Sequence, residues 1–301
     1  PEQGASSLRQ LRRLPFCTSS QLEKRSADVR ISTKGGDSIP CPHFDLKIVG
    51  RSRQQRSAVA SAAYQSGEKL FCEFDRRTRN YSQRSERIVM TEIMLPDHAP
   101  RAYLDRETLW NSVEMNEKKH DAQYARRFVM ALPKELSYTD NLAFVRQYCQ
   151  EQFVAKGMCV DLAYHHDGDG NPHVHILTTM RAIDEQGRWM PKCHREHILD
   201  KNGQPIKMKN GDYKSRRVNT TDWDDPGNCE KWRHAWEVLQ NLYLEEAGRP
   251  ERIDMRSYER QKNGLVPTIH MGPLVAAMEQ KGERTFCLLY TSPSPRDRTR
   301  S

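Results

Sequence analysis

The sequence predicts an α+β protein: a mainly antiparallel central sheet with helices on its faces. Three observations point there. Short strand-like runs closed by proline or turn residues alternate with longer amphipathic stretches. Two of those runs, MCVDLAY and HVHILTTM, are joined by the turn composition HHDGDGNP, too short for a crossover, so they pair antiparallel. Finally, 301 residues with 8% aromatics and 5 Trp carry enough apolar mass to bury a core, although 29% of the chain is charged.

In chain order, His43–Val49 (HFDLKIV) alternates as a strand and 51–56 is a polar loop. Ser57–Gly67 (SAVASAAYQSG) reads as a short helix, with Ser57 placed to cap it and Gly67 to end it. Arg87–Leu95 is a strand closed by Pro96, and Asp105–Lys119 an amphipathic helix. Arg127–Leu132 is a strand stopped by Pro133, and Thr139–Lys156 a helix with Leu142, Phe144, Val145, Tyr148 and Phe153 on one side. Met158–Tyr164 and His173–Met180 are the paired strands. Ile183–Met190 has the marks of a hairpin around Glu185-Gln186-Gly187, while 191–225 is basic and irregular. Asn228–Ala247 is a helix ended by Gly248, and the spacing of Trp232 and Trp236 puts them in the core.

The expected organisation is a leader over 1–40, disordered or foreign to the domain, one domain over 41–286, and a foreign tail over 287–301. The leader is rich in Ser, Arg and Gln, and the chain lacks an initiator Met. The tail begins CLLYTSPSPRD, which matches the translation of a transposase-type sequencing adapter. No apolar run approaches the ~20 residues of a spanning helix, which argues against membrane insertion. The 8 Cys form no C-x-x-C pair, which excludes a zinc ribbon and favours reduced thiols in a cytoplasm. A net charge of +8 points to a polyanionic partner. The excess is concentrated between Lys47 and Arg87, where ten basic residues face four acidic ones.

The sharpest chemical pattern is HHDGDGNPHVH. Residues two apart in a strand share a face, so His173 and His175 project side by side. The turn at 167–172 brings His165 toward the same pair. Three imidazoles on two adjacent strands make a facial set for a divalent ion such as Mg, Mn or Zn, with positions left open. The bland alternative is an exposed hairpin with incidental histidines. The second pattern is Tyr64, late in the Ala-rich helix. A lone Tyr is usually a core aromatic, but its neighbours Ala60, Ala62 and Ala63 leave space, and Arg51, Arg53, Arg56 and Lys69 surround it as candidate phosphate-backbone contacts. A Tyr beside a His-bound ion on a basic surface suits attack on a phosphodiester to give a phosphotyrosine ester.

The segment HFDLKIVGRSRQQRSAVASAAYQSGEKL, then TEIMLP, MALPKEL and GMCVDLAYHHDGDGNPHVHILTTMR, resembles the MobA/MobL family of plasmid relaxases, within the HUH endonucleases, over about residues 43–286. The resemblance implies a HUH relaxase-like sandwich, with Tyr64 as nucleophile and His165, His173 and His175 as metal ligands. It implies site- and strand-specific nicking of supercoiled plasmid DNA at an origin of transfer, a covalent 5′-phosphotyrosine intermediate and later rejoining. The partners implied are single-stranded DNA at that origin, accessory mobilisation proteins and a type IV secretion coupling protein. The location implied is the bacterial cytoplasm, with export to a recipient cell along with the DNA. Many members carry acidic residues in the strand before ALP, where this chain has Arg127 and Val129. Glu92 in TEIMLP is the candidate to supply the carboxylate. Asp161 is the other, although its position reads as solvent-facing. Two alternatives remain beside mobilisation: a rolling-circle replication initiator using the same chemistry, and a non-catalytic DNA-binding protein with a structural metal.

Overall fold

A computed structural model describes residues 43–51, 57–166, 172–262 and residue 278. The chain divides into two compact units, one ending at Ile253 and one beginning at Asp254. The described part of the second unit holds one short helix, Tyr258–Gln261. The expected leader and tail lie outside the described residues.

The first unit is built on five strands: β1 (Phe44–Gly50), β4 (Ile88–Met94), β5 (Gln123–Ala131), β6 (Val160–His165) and β7 (His173–Thr179). Their order in the sheet is β1-β5-β7-β6-β4, and every pairing is antiparallel. The expected α+β class and antiparallel sheet are therefore what the chain adopts. Strands β6 and β7 lie centrally and are buried almost throughout.

Paired residues share a face, so the register sorts the side chains. One face carries Asp161, Ala163, His165, His173, His175 and Leu177. It is covered by α1 (Ala58–Ser66) and α2 (Arg106–Asn116), whose Val59, Ala62, Ala63, Leu109 and Trp110 share a buried cluster with Leu177. The other face carries Phe128, Met130, Leu162 and Ile176 under α3 (Tyr138–Gln152) and α4 (Asn228–Glu246). Phe128 packs on Phe153 and Trp232, and Trp236 on Phe144 and Tyr148, so Trp232 and Trp236 are core residues as their spacing predicts.

Helix α1 forms where its caps place it. The Ser57 hydroxyl accepts from the Ala60 amide at 3.0 Å and donates to the Glu114 carboxylate at 2.7 Å. Gly67 sits at φ 65° and closes the helix onto the Ala63 carbonyl. Two ribbons were not apparent from sequence. β2 (Lys69–Cys72) pairs with β3 (Arg77–Asn80), and β8 (Cys193–His197) with β9 (Ser215–Asn219). The expectation that 191–225 is irregular is thus corrected. β8 and β9 are largely solvent-exposed, so no apolar period marks them. The expected hairpin at 183–190 is present as an Ile183–Trp189 bridge, with Gly187 at φ 78°.

Candidate catalytic and metal centre

The β6–β7 register builds the centre. His165 pairs directly with His173, and His175 stands opposite Ala163 one step along. Their ring centroids lie 4.4–5.3 Å apart, and one ring nitrogen from each falls within 4.8 Å of the others. His165 and His175 are buried, and His173 is partly open.

The donor set fits a divalent ion. Burial first, and then the electrostatic influence of His165, His173 and Arg127, push His175 down to about 2, so its ring is neutral with a lone pair to give. Its Nδ1 is buried and has no hydrogen-bond partner among the described residues, a cost that a bound cation would remove. His165 Nε2 lies 2.6 Å from the Gln65 carbonyl oxygen. A carbonyl can only accept, so Nε2 carries a proton, and Nδ1 is the nitrogen that is left to face an ion.

Tyr64, in the last turn of α1, opens onto the same cleft, of about 380 Å³, as the three histidines. Its ring meets Tyr81 edge to face at 5.5 Å. A 3₁₀ turn, Ser82–Arg87, follows Tyr81 and supplies the remaining wall through Gln83, Glu86 and Arg87. Sequence reasoning missed this wall. Its only visible sign was that Glu86 and Arg87 belong to the charged run ending there.

The structure thus brings Tyr64, His165, His173 and His175 together. It does not bring Glu92 to them. Glu92 pairs with Leu162, which puts it on the opposite face of the sheet, where it takes the Arg146 guanidinium at 2.7 Å. Asp161, expected at the surface, is fully buried instead. It accepts from Arg106 Nε at 2.9 Å and from Trp110 Nε1 at 2.8 Å. Arg106 also reaches Glu68, just beyond α1. Of the expected backbone contacts, Arg51 is used inside the scaffold: it donates to the Tyr124 hydroxyl at 2.7 Å and the Glu117 carbonyl at 3.1 Å, and stacks over Phe74. Lys69 is exposed at the start of β2. Arg53 and Arg56 lie outside the described residues.

Comparison with known proteins identifies the family. The chain is 37% identical over 254 residues to the conjugal transfer protein TraA of Rhizobium radiobacter, covering 80% of this chain and 22% of TraA. It is 32% identical over 256 residues to a probable mobilization protein MobA of Bifidobacterium longum (strain NCC 2705), covering 80% of this chain and 44% of that protein. It therefore spans under a quarter of the first relative and under half of the second. A solved structure from work on the "Molecular Basis of Vancomycin Resistance Transfer in Staphylococcus aureus" superposes with a TM-score of 0.60 at 29% identity, over 72% of this chain and 99% of that one. The MobA/MobL family profile matches residues 56–281, a stretch that includes α1, the histidine strands and α4, and the chain belongs to the MobA/MobL family.

Proposed function

We propose that this chain is the nicking and strand-transfer domain of a DNA mobilisation protein. The observation that carries the reading is one open cleft lined by both a tyrosine and three histidines. A divalent ion held by His165, His173 and His175 would offset the charge that builds on a phosphodiester as it is attacked. Tyr64 attacks phosphorus in line, the bond to the 3′ oxygen breaks with its electron pair and takes up a proton to leave a free 3′ hydroxyl, and the DNA 5′ end is left as a phosphotyrosine ester. The phenol proton needs an acceptor. Among the described residues lining the cleft Glu86 is the one carboxylate, and in this reading it replaces Glu92 in that role. Arg87 faces the same space and offers a cation to the phosphate. The adduct conserves the energy of the diester, so the strand can be resealed without a nucleotide cofactor.

The substrate in this reading is single-stranded or supercoiled plasmid DNA at an origin of transfer. Accessory mobilisation proteins and a type IV coupling protein would lead the adduct from the donor cytoplasm to a recipient. No helix among the described residues is long and apolar enough to cross a membrane. A purely structural metal site would be closed by a fourth protein ligand. Among the described residues the triad has no fourth such ligand and opens onto the cleft beside Tyr64.

The test is incubation with labelled single-stranded oligonucleotides tiling a candidate origin, with Mn or Mg. The expected product is an SDS-resistant adduct that disappears in Tyr64→Phe and under chelation. An adduct that persists in Tyr64→Phe, or no adduct across the whole tiled set, would overturn the reading.

A further inference from the structure

We infer that Gln65 is a positioning residue that couples the nucleophile to the metal site, so that one side chain sets both ion affinity and the placement of Tyr64. The inference deepens the proposed function and rests on it for the role of Tyr64.

Gln65 directly follows Tyr64 and holds β6 at two points. Its backbone carbonyl accepts from His165 Nε2 at 2.6 Å, and its side-chain Nε2 donates to the Asp161 carbonyl at 3.0 Å. Asp161 and His165 lie four residues apart on one strand and on one face. The carbonyl bond does the work of the hydrogen-bonded partner that metal-ligating imidazoles ordinarily have, since it fixes the tautomer and the ring orientation of His165. Here that partner is the peptide unit next to the nucleophile. Any slide of α1 over the sheet therefore moves Tyr64 and turns His165 together.

The side chain is what opposes such a slide. Gln65 is 1% exposed between α1 and β6, in a place where leucine would bury more favourably. Its Oε1 is buried without a partner among the described residues, so the amide lowers stability on that side. A polar residue kept at such a cost fits a role in fixing geometry rather than in adding stability. Asp161, the other end of the bond, is itself immobilised by Arg106 and Trp110 from α2.

The test compares the full chain with Gln65→Leu and Gln65→Asn, the latter keeping an amide too short to span to Asp161. Three quantities are read: Mn or Co affinity by competition with a chromophoric chelator, thermal midpoint, and the rate of covalent adduct formation at saturating oligonucleotide. Gln65→Leu is expected to keep or raise the midpoint, to weaken ion binding about 10-fold or more, and to slow the adduct at unchanged oligonucleotide affinity. Gln65→Asn is expected to show the same two losses. Parental ion affinity in a folded Gln65→Leu, or losses only in proportion to a fallen midpoint in both variants, would overturn the inference. Ion binding that is weakened in the variants while the parent forms no adduct would sink the nicking role and leave the coupling to the metal standing. An ion affinity that His175→Ala does not alter would overturn both.

Discussion

Asp161→Asn tests how the centre is held. Asp161 is wholly buried and takes three charge-assisted or aromatic N–H donors: Arg106 Nε at 2.9 Å, Arg106 Nη2 at 3.0 Å and Trp110 Nε1 at 2.8 Å. Asparagine keeps the shape but removes the charge, and its amide nitrogen must face either the guanidinium or the indole N–H, donor against donor. Arg106 is only 8% exposed and is left with Glu68 at the surface side as its remaining anion. Removing one partner of a buried pair costs about 3–5 kcal/mol, because the surviving charge stays desolvated. For a unit of this size that corresponds to a fall of roughly 6–20 °C in thermal midpoint. Urea unfolding followed by far-UV circular dichroism and by tryptophan emission measures it, and Trp110 reports locally. A loss below about 1 kcal/mol would refute the reasoning, since it would mean that the pair is solvated or that Arg106 is satisfied without Asp161.

The remaining predictions concern the cleft and its supports. Glu86→Gln slows adduct formation by about 100-fold with oligonucleotide affinity unchanged, whereas Glu92→Gln, on the other face, leaves the rate alone; single-turnover kinetics of the two variants measure the contrast. Gly67→Ala forces a side chain into φ 65° and brings its Cβ to 2.5 Å from Ile88 Cδ1, so it destabilises by about 1–2 kcal/mol and displaces Tyr64, read as a lower midpoint together with a slower adduct. At Glu117, burial raises the carboxyl pKa, but hydrogen bonds from Arg181 at 2.7 Å and Lys192 at 2.9 Å more than offset this and hold it below its ordinary 4.5. A carboxyl lowered in the folded state contributes stability above pH 4.5 that is lost as the pH falls through its folded value. Glu117→Gln is therefore costly near neutral pH and nearly neutral once the pH is below that value, which paired urea midpoints at the two pH values would show.

What the sequence made legible was local. The caps of α1 are nearest-neighbour chemistry, so Ser57 and Gly67 can be placed from the residues that flank them. The H-x-H spacing fixed a shared face for His173 and His175, and the short turn composition brought in His165. What was not legible depended on register or on distant partners. Whether Glu92 faces the histidines is decided by how β4 slides on β6, and a one-residue change moves it to the other side of the sheet. Asp161 looked like a surface acid because the residues that neutralise it, Arg106 and Trp110, come from a helix more than fifty positions earlier. The β8–β9 ribbon left no trace because exposed strands need no apolar period.

The shortness of α1 explains why so much buried polarity gathers beneath it. A helix of nine residues is marginal on its own, since nucleation consumes what few intrahelical bonds it can form. Its apolar side is mostly alanine, which packs closely but offers little shape to lock a rotation or a slide. Directional bonds supply the missing specificity. Glu114 of α2 fixes the first turn through Ser57 and the Val59 amide, and Gln65 fixes the last through β6. Arg106 then joins both supports, since it leaves the same α2 to hold Asp161 below Gln65 and Glu68 beyond it. The segment of α1 that carries Tyr64 is therefore anchored by hydrogen bonds to the neighbouring elements as well as by its own helix. In the proposed reaction, loss of the Gln65 bond should slow adduct formation before it lowers stability, whereas loss of the Asp161 ion pair lowers both.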